Sequence, residues 1–114
     1  MQTKEINING KTYPVAFCLK TMVGFENIVG HSFFGDDFSM FGSRIALVVA
    51  AVFAADEDAD IKSDDLLRLD RWKAVKEVID AFGTVLDMSK EFFSIPEVEP
   101  SEPGPDKEEE GVKN

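Results

Sequence analysis

Two hydrophobic periods divide the chain. Near the start, Ile6 and Ile8 alternate with Glu5 and Asn7, the period of a half-buried strand. Asn9-Gly10 follows, then Lys11-Thr12-Tyr13-Pro14-Val15-Ala16-Phe17. A type I′ turn needs positive φ at both central residues, and Asn-Gly supplies it. The pattern predicts a β-hairpin over residues 3–17, packed through Ile6, Ile8, Val15 and Phe17. Pro14 cannot donate to a ladder, so it predicts an edge position or the end of the pairing. A lone hairpin is marginal in water and must rest on other elements.

Beyond residue 17 the period becomes helical. The first helix is predicted over residues 18–29 and ends at Gly30. Cys18, Leu19, Met22, Phe25 and Val29 share its apolar face, with Gly24 opposite. Residues 31–42 read as a loop holding Phe33, Phe34, Phe38 and Phe41. A helix over residues 40–55 is apolar on every side from Ile45 onward, so it should be the central one. An acidic loop at Asp56-Glu57-Asp58 leads to a short helix over 63–69, with Ser63 as its N-cap and Asp64 and Asp65 in its first turn. The last helix is predicted over 71–93. Trp72, Val75, Ile79, Phe82 and Leu86 make a three-four stripe, and Val78, Val85 and Phe92 widen it on one side. Either one flank faces the domain while the other receives a client helix, or the whole arc is core. The predicted fold is therefore α+β and mostly α, a hairpin packed on three to four helices.

Composition changes near Pro96. Residues 97–114 hold seven acids, two bases, three prolines and only Val98 and Val112 as apolar side chains. Such a stretch cannot bury enough surface to offset its ordering entropy. The expected organisation is one globular domain over 1–96 and a disordered acidic tail over 97–114.

The chain of 114 residues carries a net charge of −10, which opposes binding to phosphate backbones and anionic membranes. Its single cysteine, Cys18, allows no intrachain disulfide. No apolar signal core follows the first residues, and the longest apolar run, 45–55, is too short to span a bilayer. These features lead to the expectation of a soluble cytoplasmic protein.

Motifs for chemistry are incomplete. Asp56-x-Asp58-x-Asp60 opens like a calcium loop, but Ile61 and Leu67 stand where Gly and Glu are needed. One Cys and one His cannot build a zinc site. The spacing of Gly30 and Gly35 suits a P-loop, yet Asp36-Asp37 replaces its Lys and Ser/Thr. Cys18 and His31 are the only candidate nucleophile and base of their kind, 13 residues apart. Glu26 falls inside an apolar arc, either as a site carboxylate or as a partner of nearby backbone groups. No cofactor or metal is expected. Ten phenylalanines are more than a core this small readily encloses, which points to a partner or self-association. Val78, Val85, Phe92, Phe33, Phe34 and Phe38 are the expected partner surface.

The run Ile6-Asn7-Ile8-Asn9-Gly10-Lys11-Thr12-Tyr13-Pro14-Val15, followed by a helix reaching Phe25-Glu26 and ending at Gly30, resembles the start of small tail assembly chaperones of long-tailed phages and prophages. The resemblance covers residues 5–93 in layout and 5–30 in recognisable residues. It implies a non-enzymatic protein that binds the tape measure protein, keeps it soluble and recruits tail tube subunits, with no catalytic residues and a bacterial cytoplasmic setting. The Phe-rich loop over 33–41 and the Pro-Glu tail depart from the pattern. The competing class is an acidic inhibitor or nucleic-acid mimic, whose surface acids would form spaced rows rather than yield to apolar patches.

Overall fold

The computed structural model describes residues 2–94. The acidic segment expected over 97–114 lies outside the described residues.

Strands β1 (Thr3–Ile8) and β2 (Lys11–Ala16) pair antiparallel, with Ile8 opposite Lys11, Ile6 opposite Tyr13 and Thr3 opposite Ala16. Asn9 and Gly10 both have positive φ, 52° and 84°, as a type I′ turn requires. Ile6, Ile8, Val15 and Phe17 are buried. The ladder does not stop at Pro14, which lies within β2 opposite Glu5. Counting outward from the closing pair Ile8–Lys11, this is a non-bonded pair, so the missing N–H would have pointed away from β1.

Helix α1 (Leu19–Val29) starts where Thr21 makes two bonds. Its hydroxyl donates to the Ala16 carbonyl at 2.8 Å and accepts from the Cys18 N–H at 3.1 Å. Thr21 is fully buried, while Leu19, assigned to the apolar face, is exposed. A polar side chain with both bonds satisfied takes the inner position that periodicity alone gives to Leu19. Gly30, at φ 82°, closes α1 by donating its N–H to the Glu26 carbonyl at 2.8 Å. Gly24 faces α2 (Phe41–Ala55) rather than solvent; a Cβ placed on it would lie 3.4 Å from that of Ala50. The two helices thus cross through a pair of small residues.

Within α2, every residue from Ile45 to Val52 is buried, as expected for the central helix. A short 3-10 turn, Phe33–Gly35, precedes it. Helix α3 (Ser63–Leu67) begins on Ser63 itself with Lys62 at the cap position, so Ser63 is not the N-cap; Asp64 and Asp65 do occupy the first turn.

Helix α4 (Trp72–Phe92) is turned relative to the expected orientation. Val78 and Val85, assigned to a client-facing flank, are core, with Val85 wholly enclosed. Trp72, assigned to the main stripe, is 67% exposed, and Val75, Ile79 and Leu86 are only half-buried. The core side runs through Ala74, Val78, Ala81, Val85 and Met88, an alternating four-three spacing. Two alanines on that line let the helix approach its neighbours closely, and close packing outweighs the larger side chains of the other flank. The hairpin lies on α2 through β2 and on α4 through β1. The fold is α+β and mostly α.

Candidate functional site

The Phe-rich loop is held by a polar framework. Glu26 reaches from α1 and accepts the Phe33 N–H at 2.8 Å, which accounts for an acid in an apolar arc. Asp36 accepts from the Ser43 hydroxyl, the Phe38 N–H and the His31 ring, each at 2.7 Å. Burial pushes the Asp36 carboxyl up, but these hydrogen bonds outweigh it and hold it below the ordinary carboxylate value. Phe38 has a left-handed backbone, φ 59°, and its carbonyl accepts from Arg44 Nε at 2.6 Å. The Arg44 guanidinium sits over the Phe41 and Phe82 rings, 5.6 and 5.4 Å from their centroids.

This framework gathers part of the expected aromatic surface. Phe33 is buried at the centre of a ring cluster, 5.8 Å from Phe17, 5.5 Å from Phe34 and 6.1 Å from Phe93. Phe92 stands 5.2 Å from Phe17 and 5.1 Å from Phe93. Phe34 is 73% exposed, and Phe92 and Phe93 are partly so. Phe38 continues the cluster inward, 5.5 Å from Phe33 and half-buried between Phe25 and Phe82. Of the six expected surface residues, only Phe34 and Phe92 present substantial surface. Val78, Val85 and Phe33 are enclosed by the fold, so they are core rather than partner surface.

A second apolar surface was not expected from the sequence. Helices α1 and α2 flank a groove of about 370 Å³ floored by Gly24, Ile28, Val49, Ala50, Phe53 and Ile61. Leu19 and Val23 are also exposed on α1. Lys20 and Lys62 stand at the edge of the groove, and Lys20 pairs with Glu57, holding that carboxyl below its usual value. Gly24 and Ala50 meet at the floor of the groove, where α1 and α2 cross.

Among the described residues, the Cys18 thiol and the His31 ring share no hydrogen bond. Ser43 donates to Asp36 rather than to His31, and the Cys18 thiol lies beside Thr21, Sγ to Oγ1 3.9 Å. Asp56 accepts the Asp58 N–H at 3.0 Å, a local turn. Among the described residues, no three His, Cys, Asp or Glu side chains converge as metal ligands, and no helix is long and apolar enough to cross a membrane. Comparison with protein-family models, curated proteins and solved structures finds no match for this chain.

Proposed function

We propose that this chain is a non-enzymatic binding protein, a tail assembly chaperone of a long-tailed phage or prophage, that holds an amphipathic helix of the tape measure protein in the α1–α2 groove. The observation that carries the reading is the groove itself: an open apolar floor on a small domain, edged by two lysines. Helix-in-groove recognition needs an apolar trough of this kind. Ten large apolar side chains are exposed among the described residues, more than solubility calls for, which supports a protein-binding role. The hairpin, the Gly30 stop and the four helices also follow the layout on which the family resemblance rests. Recruitment of tail tube subunits, association between copies and a bacterial cytoplasmic setting belong to the same reading.

The test is co-expression of the full chain with the tape measure protein from the same genome. The reading expects a soluble complex that Ile28→Asp disrupts while the variant keeps its thermal midpoint. A tape measure protein that is equally insoluble with and without the chain overturns it.

A further inference from the structure

One edge of the two-stranded sheet is open and the other is blunted. With Ile8–Lys11 as the bonded pair closing the turn, bonded pairs recur at Ile6–Tyr13 and Lys4–Val15. The N–H and C=O groups of Thr3, Glu5 and Asn7 therefore point away from β2. Among the described residues, none of them finds a hydrogen-bond partner. On β2 the outward positions are Thr12, Pro14 and Ala16. Pro14 has no N–H to offer, and the Ala16 carbonyl is taken by the Thr21 hydroxyl.

Beside the open edge runs a groove of about 300 Å³, lined by Glu5 and Asn7 of β1 and by Glu77, Asp80 and Thr84 of α4. Glu77 marks its turn end, accepting the Asn9 N–H at 2.9 Å. No lysine or arginine lines it.

We propose that this edge takes an extended basic peptide as the third strand of the sheet, with Lys or Arg at alternate positions facing Glu77 and Asp80. Backbone groups of Thr3, Glu5 and Asn7 supply the ladder, and the carboxylates supply the selectivity. Residues i and i+2 of a strand lie about 7 Å apart, within reach of carboxylates one helical turn apart. A second copy of this chain is a poor occupant, because antiparallel β1 strands would set the acids of both copies against each other. This site is separate from the apolar α1–α2 groove and stands whether or not the chaperone reading holds.

The experiment titrates the isotopically labelled full chain with a seven-residue peptide alternating Lys and Val, and with its Glu/Val counterpart. The basic peptide is expected to slow exchange of the Thr3, Glu5 and Asn7 amides about tenfold or more, and the acidic one to leave them unchanged. N-methylation of the peptide amides that face β1 should abolish binding, whereas methylation of the others should not. Asp80→Lys, an exposed side chain outside the core, should weaken binding about fivefold or more at low salt, and added salt should erode the difference. Several results overturn the proposal: no protection of the three amides, equal protection by the acidic peptide, or perturbation confined to α1 and α2. Protection already present in a free chain of dimer mass also overturns it, by assigning the edge to a second copy.

Discussion

Asp36 ties three stretches of chain together through His31, Phe38 and Ser43. Because its carboxyl is held below the ordinary value, the stability it contributes is complete above the unfolded value of about pH 4 and is lost as pH falls through the lowered value. Asp36→Asn is therefore expected to flatten the acid limb of a thermal midpoint curve measured from about pH 2 to pH 6. Thr21 is the second residue whose polarity matters inside. Thr21→Val keeps the shape but strands the Ala16 carbonyl and the Cys18 N–H, and should cost about 1–3 kcal/mol in denaturant unfolding. Thr21 also shows why periodicity alone does not identify the inner face of α1. A hydroxyl counts as polar in a periodicity until its two partners, one in the preceding strand, are known.

The elements themselves were largely legible. Asn9-Gly10, Gly30 and the apolar run from Ile45 act over a few residues, and local rules suffice for them. The orientation of α4 was not legible, because its apolar arc is wide enough for two positions. The choice went to the line of Ala74 and Ala81, two small buried side chains that let α4 lie close to its neighbours. Helix α2 gives Gly24 its setting. Its backbone is helical and the nearest atom to an added Cβ is 3.4 Å away, ordinary contact. Gly24→Ala should thus stabilise the fold by up to about 1 kcal/mol, read from the urea midpoint. Gly10→Val should do the reverse by about 1–3 kcal/mol, since a β-branched residue resists φ 84°.

For the whole molecule, the exchange of flanks on α4 moves the interaction surface away from the residues first assigned to it. Val78→Ser and Val85→Ser should each cost about 1–4 kcal/mol through lost packing and a buried hydroxyl, measured by calorimetry. Of the candidate surface, the aromatic loop was legible because ten phenylalanines exceed what one small core absorbs. The α1–α2 groove was not, because it is the product of a helix crossing and no single segment encodes it. The asymmetry of the hairpin has a consequence for stoichiometry. A sheet that can extend on both sides polymerises, since each addition leaves a new growing end on either flank. Here Pro14 and the Thr21 hydroxyl terminate one side, so growth proceeds in a single direction, and a short incoming strand with a poor outer edge ends it. The arrangement acts as a chain terminator: it permits one guest per molecule while denying the two-sided template on which a fibril would build.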